Sequence, residues 1–194
     1  IGALENRQLS SKPQVIVGCT VSTLQLNNVT VNTGSTSGSS TVVTVGATGV
    51  LTNLQGNNWD VSGATTAAIA VLVVGSGSLG SVNISNANFS TLNAVVQLNS
   101  TSLSNGTLTF TNVWANAMST FINTAVRGVG SVPIPAFFSN VRYTNPAGGF
   151  LTGLGAGSQV AAQFSGCAIP AGAAVSGTWT NVTADYSPDQ RDVI

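Results

Sequence analysis

One short phrase recurs down the chain at almost constant spacing, and few folds can accommodate it. It reads apolar, polar, apolar, small polar, Asn, apolar, variable, apolar. The copies run Leu24 to Val31, Leu54 to Val61, Val82 to Phe89, Leu108 to Ala115 and Ala136 to Tyr143, and a variant with Gly in the Asn slot runs Ala162 to Ile169. The slot falls at Asn28, Asn58, Asn86, Asn112, Asn140 and Gly166, in steps of 30, 28, 26, 28 and 26 residues. A drifting period of that length is the mark of stacked solenoid coils. Alternation over Leu24 and Leu26 is strand periodicity with one buried face. It breaks at Asn27-Asn28 and resumes at Val29 and Val31 with the parity shifted, as a bend between two strands requires. Asn and Gly enter left-handed backbone cheaply, so either can occupy the bend.

Stacked coils place Asn28, Asn58, Asn86, Asn112 and Asn140 above one another, about 4.8 Å apart. Their amides can then bond along the stack, with Gly166 keeping the bend and ending the ladder. A third strand per coil is predicted at Thr41 to Val45, Ala67 to Val74, Ala94 to Leu98, Phe121 to Val126 and Phe150 to Leu154, with Val43, Leu72, Val96, Ile122 and Leu151 in one column. Turns rich in Gly, Ser, Asn, Thr and Pro fill Asn32 to Ser40, Gly75 to Gly80, Asn99 to Gly106, Gly128 to Pro135 and Asn145 to Gly149.

A column of Asn residues at a two-residue bend, with about 25 residues per coil, resembles the right-handed parallel β-helix of the pectin-lyase-like superfamily, over roughly Val15 to Ile169. That superfamily includes polysaccharide lyases, phage tailspikes and many surface adhesins. The resemblance implies an all-β chain, a single-stranded right-handed parallel β-helix of about six coils with terminal caps. The expected organisation is an N-terminal cap or arm over residues 1–14, the β-helix over 15–170 and a C-terminal cap or tail over 171–194. Gly2 to Leu9, polar mostly on one side, reads as a short capping helix. Asn181 follows Gly166 too closely for another full coil, and Trp179 to Tyr186 reads as a strand lying across or beyond the last one. Cys19 and Cys167 stand five coil steps apart, over 20 Å at about 4.8 Å per step, too far for a disulfide. Cys167 should fill the inward slot of Val29, Trp59, Ala87, Val113 and Val141.

Charge is sparse and unevenly placed. The 194 residues carry five basic and five acidic side chains and no His. Between Pro13 and Ala184 only Asp60, Arg127 and Arg142 are charged. The flanks are Ser, Thr, Asn and Gln with some apolar residues, a surface suited to packing against copies of itself, another protein or a glycan. Hydrophobic content of 43% and the clear period argue against disorder. The longest apolar run, Ala67 to Val74, is too short to cross a bilayer as a helix, and membrane insertion is not expected. Zero formal net charge without a basic stripe argues against nucleic-acid binding. The chain opens on Ile1 with no initiator Met or signal-peptide pattern, as expected of a processed chain or a piece of a longer one.

Catalytic chemistry has few candidates. Without His there is no Ser-His-Asp triad, His general base or His metal ligand, and two Cys cannot build a structural zinc site. β-Helix lyases use clustered Asp with a Lys or Arg base, whereas Asp60 is the only acid in the solenoid body. Glycosidases need two carboxylates within about 10 Å. No catalytic residue, metal or cofactor is therefore expected. The outward column two positions after the Asn slot reads Thr30, Asp60, Asn88, Trp114, Arg142, and Trp114 and Arg142 on adjacent coils are placed for a cation–π contact. Trp114, Phe137 and Arg142 are candidates either for stacking a glycan or for burial between subunits. Thr-rich strands such as Thr107 to Thr111 lack the flat regular array of an ice-binding solenoid. Of six Asn-X-Ser/Thr sequons, Asn99 and Asn105 sit in a turn where glycosylation is sterically reasonable, whereas Asn28 belongs to the ladder.

These features point to a non-enzymatic structural protein of a virion, a tailspike or fibre segment or a capsid decoration protein, located at the virion surface or extracellularly. It would assemble through uncharged flanks as a homo-oligomer, a trimer in the first instance, or with other virion or surface proteins, and would be suited to attaching a cell-surface glycan. An extracellular adhesin or filament subunit and a polysaccharide-degrading enzyme are the alternatives.

Overall fold

The computed structural model describes residues 2–9, 15–32, 41–63, 69–100, 106–117, 119–123, 134–145, 149–152, 160–170, 174–176 and 183–184. They form strands and turns, in the order β1 (Gly2–Leu9), β2 (Val15–Val17), β3 (Thr20–Asn32), β4 (Thr41–Val45), β5 (Val50–Ser62), β6 (Ile69–Gly75), β7 (Ser78–Ser90), β8 (Ala94–Ser100), β9 (Leu108–Asn116), β10 (Thr120–Asn123), β11 (Ile134–Tyr143), β12 (Gly149–Thr152), β13 (Val160–Ser165), β14 (Ala174–Ser176) and β15 (Thr183–Ala184). Odd-numbered strands make one sheet and even-numbered strands the other, each in sequence order. Every pairing is parallel, so the chain winds forward and adds one strand to each sheet per coil. The result is an all-β parallel β-solenoid of stacked coils.

Register follows the phrase. Leu26 stands beside Gly56, Gly56 beside Ile84, Ile84 beside Phe110, Phe110 beside Phe138 and Phe138 beside Phe164. After the bend, Val29, Trp59, Ala87, Val113 and Val141 form a second inward column, and Cys167 is buried in the next position of that column. Both cysteines are free, and Cys19 is exposed. Burial pushes the Cys167 thiol up from its ordinary range, partly offset by hydrogen bonds from the backbone.

The even-numbered sheet is built differently. Val42 and Val43, Val95 and Val96, Phe121 and Ile122, and Phe150 and Leu151 are buried as consecutive pairs in one common core. Pairing skips the first residue of each couple, so the strand bends there and turns both side chains inward. Flanking one such bend, the hydroxyls of the buried Thr41 and of Thr44 lie 2.6 Å apart. Continuous apolar runs with two inward neighbours cannot be phased by sequence period alone. That explains one correction: Val71, and not Leu72, stands in the column of Val43 and Val96. The predicted third strands otherwise begin within two residues of β4, β6, β8, β10 and β12, and the Gly75 to Gly80 turn is shorter because β7 starts at Ser78.

The ends also differ from expectation. Gly2 to Leu9 is strand β1, paired in parallel with β3, and not a helix. An eight-residue segment cannot sustain a helix on its own, whereas the edge of β3 offers a row of backbone partners. The register places Asn6 opposite Asn28, one coil further than the phrase was traced. Beyond Gly166, β14 adds to β12 and β15 to β13, so both sheets continue past the expected last coil by a shorter step. Trp179 and Asn181 lie outside the described residues, as does Arg127.

Core packing rests on size exchange between neighbouring columns. Trp59 is the largest inward residue and is almost fully buried, and its indole nitrogen donates to the Leu26 carbonyl at 2.8 Å. Gly56 makes the room: a Cβ there would lie 2.7 Å from the Trp59 ring. In the preceding coil the same two positions hold Leu26 and Val29. Further along, Phe110, Phe138 and Phe164 stack along the axis with centroids 5.6 and 5.0 Å apart. Phe121 and Phe150 meet them edge-on or tilted from the opposite sheet. Aromatic pairs at these separations add about 0.5–1.5 kcal/mol each beyond area burial.

Gly56→Ala should destabilise the protein by about 1–3 kcal/mol through overpacking against the indole. The double variant Gly56→Leu/Trp59→Val, which copies the Leu26/Val29 pair, should be more stable than Gly56→Leu alone; urea unfolding monitored by circular dichroism measures both. Tyr143 supplies a pH test. Burial pushes its phenol up to about 12, above the ordinary 10 of an unfolded chain. The unfolded state therefore loses this proton first, so stability is full below pH 10 and falls as pH rises towards 12. Tyr143→Phe should flatten that fall in alkaline unfolding curves, and an unchanged pH profile would show that another group causes it.

Candidate functional site

The bend that shapes the solenoid also builds its most distinctive surface. Asn28, Asn58, Asn86, Asn112 and Asn140 have φ between 51° and 58°, and Gly166 has 61°. Left-handed backbone shifts the side-chain parity, so Leu26 and Val29 and their counterparts both point inward while the two residues between them stay outside the core. The exposed amides then meet along the axis. Asn58 Nδ2 donates to Asn28 Oδ1 at 2.8 Å, Asn112 Nδ2 to Asn86 Oδ1 at 3.1 Å and Asn140 Nδ2 to Asn112 Oδ1 at 2.9 Å. One rung steps sideways: Asn86 Nδ2 donates to Asn57 Oδ1 at 2.9 Å, and Ser85 Oγ lies 3.1 Å from the same oxygen. Asn57 was not singled out by the sequence, because it sits one place before the repeated slot.

Beside the ladder runs an open groove of about 480 Å³, lined by ladder amides and by Asp60, Asn88, Trp114 and Arg142. That volume lies in the range of small-ligand sites. The floor is formed by Trp59, Ala87 and Val113, whose side chains turn into the core. Register sets Asp60 beside Asn88, Asn88 beside Trp114 and Trp114 beside Arg142. Asn88 Nδ2 donates to Asp60 Oδ1 at 3.0 Å. Trp114 keeps 55% of its surface exposed, a large apolar face held on a rigid strand.

Three coil steps of about 4.8 Å put the Asp60 carboxylate about 14 Å from Arg142, too far to pair with it. In this column Asp60 is flanked by Thr30 and Asn88, and no second acid stands in it. The arrangement is a line of amides, a carboxylate, an indole and a guanidinium, able to donate and accept hydrogen bonds and to stack a flat face.

Phe137 belongs elsewhere. It lies three positions before the Asn slot, between Thr109 and Gln163, in the outward column on the other side of the bend. There it lines a separate depression of about 230 Å³ with Thr109, Ser139 and Gln163. Trp114 and Arg142 are thus brought together and Phe137 is not, because the bend turns the two outward columns onto different flanks. Asp60 and Asn88 complete the groove. Their column is legible in the sequence, whereas the groove that joins it to the ladder amides is set by the stacking of the coils.

Asn112 tests the ladder. Asn112→Gly keeps the left-handed backbone and removes two amide bonds, whereas Asn112→Ala also strains the backbone by about 1–2 kcal/mol. Thermal melts should therefore rank wild type above Asn112→Gly and Asn112→Gly above Asn112→Ala; an Ala variant as stable as the Gly variant would separate the bend from the ladder's stability.

Compared with protein-family models, with curated proteins and with solved structures, the chain gives no match.

Proposed function

We propose that this chain is a non-enzymatic structural and attachment protein of an exposed surface, a virion surface in the first instance, which binds a saccharide in the groove beside the Asn ladder. One observation carries the reading. Of the three charged residues between Pro13 and Ala184, two, Asp60 and Arg142, stand on the same groove although 82 positions separate them in sequence. A surface otherwise made of hydroxyls and amides has no need of charge for solubility alone at one place. The exposed Trp114 between them offers the flat apolar face that sugar rings pack against, and the neighbouring amides and carboxylate offer partners for hydroxyls.

The finer architecture belongs to the same proposal. Six bends with positive φ, at five Asn and Gly166, favour six coils in the manner of pectin-lyase-like β-helices. Right-handed winding is the course that parallel crossovers nearly always take. Assembly as a homotrimer through the uncharged flanks is supported by apolar residues left outside, Ile16 at 66% and Phe137 at 39% exposure. A cell-surface adhesin would use the same groove, and the presence of the protein in purified virions separates the two locations. A polysaccharide-degrading enzyme is disfavoured by the lone acid in the groove.

Glycan-array screening followed by calorimetry tests the reading. Saccharides should bind and be recovered intact. Trp114→Ala, with an unchanged melting temperature, should weaken binding about tenfold or more, as loss of a central aromatic anchor does. Absence of saccharide binding, or full binding by Trp114→Ala, would overturn it.

A further inference from the structure

The groove has a direction. Its column carries Asp60 near one end and Arg142 at the other, with Asn88 and Trp114 between, so the chemistry changes from acceptor to aromatic to cation along the axis. Asp60 lines the groove and already accepts one bond from Asn88 at Oδ1, and its second oxygen is a further acceptor. Arg142 has no acid beside it in the register: its neighbours are Trp114 on one coil and Ala168 on the next. The ladder amide nearest it, Asn140, is engaged as a donor to Asn112.

A guanidinium keeps its charge at any physiological pH and presents a planar fork of donors suited to an oxyanion, above all a carboxylate. Asp60 is its opposite, able only to accept from hydroxyl or ammonium groups. The two charges lie about 14 Å apart, beyond the Debye length of about 8 Å in physiological salt, so each acts on its own part of a ligand.

We infer that the groove takes an acidic oligosaccharide in one orientation: a sugar carboxylate on Arg142, the adjoining ring on Trp114, and uncharged sugar hydroxyls on Asn88 and Asp60. This rests on the saccharide-binding reading above and adds the charge and polarity of the ligand. A span of about 14 Å suits a chain of roughly three sugar units lying along the solenoid axis.

The test uses the full chain and trisaccharides with one terminal uronic or sialic acid, each paired with its carboxyl-reduced form and with a sulfated counterpart. Calorimetry should give the carboxylated forms at least a tenfold advantage over the reduced forms, and that advantage should shrink as salt rises. Arg142→Ala should abolish the advantage, Arg142→Lys should restore part of it, and Asp60→Asn should weaken both forms by a similar factor. Melting temperatures establish that each variant is folded. If the reduced forms bind the wild type as tightly as the acids, the inference falls while saccharide binding stands. A carboxylate advantage that survives in Arg142→Ala also overturns it, and tighter binding of the sulfated forms overturns the carboxylate assignment. Failure of every form to bind removes both this inference and the reading beneath it.

Discussion

The structure depends on one repeated conformation, a left-handed residue at the same place in successive coils. At about 3 kT or less per residue the strain is small for Asn, and each exposed amide offsets part of it by bonding to the coil before. With the bend in place, the residues before and after it both face inward. A strand that would otherwise bury one face in two becomes a corner of a closed coil. The bend falls inside each of β3, β5, β7, β9 and β11 and turns each into two short strands at an angle.

Stacking then converts local shape into a shared core. Parallel register brings each inward residue against its counterpart one coil away, so neighbouring coils fill the core either by exchanging a large side chain for a small one or by stacking rings. Trp59 with Gly56 and Phe89 with Ala115 are two such exchanges. The stack of Phe110, Phe138 and Phe164, joined from the far sheet by Phe121 and Phe150, fills the C-terminal half with rings. A repeat with this much irregularity has its register held by these pairings, because a strand shifted by one residue would turn its inward rings to the outer face.

The same regularity generates the groove. Outward residues two places beyond the bend fall in a line whether or not they serve any purpose, and most such lines here are hydroxyls and amides. The line that carries Asp60, Trp114 and Arg142 departs from that pattern and lies against the ladder amides. A rigid ladder beside a fixed indole gives a surface with little to reorganise on binding, which lowers the entropic cost of holding a ligand.

How much could be read beforehand is clear from particular residues. The period and the Asn slot established stacked coils, the bend positions and the inward columns around Leu26 and Val29, because side-chain parity and left-handed backbone are local properties written into residue type. The outward column ending at Arg142 was legible for the same reason. The sequence could not assign Val71 over Leu72 to its column, since an unbroken apolar run carries no phase. It could not make Gly2 to Leu9 a strand, because that choice lies with the free edge of β3. Nor could it separate Phe137 from Trp114, or let Asn86 choose Asn57 over Asn58. Those outcomes depend on angles between coils and on which atoms come within bonding reach, quantities that exist only once the chain has closed on itself.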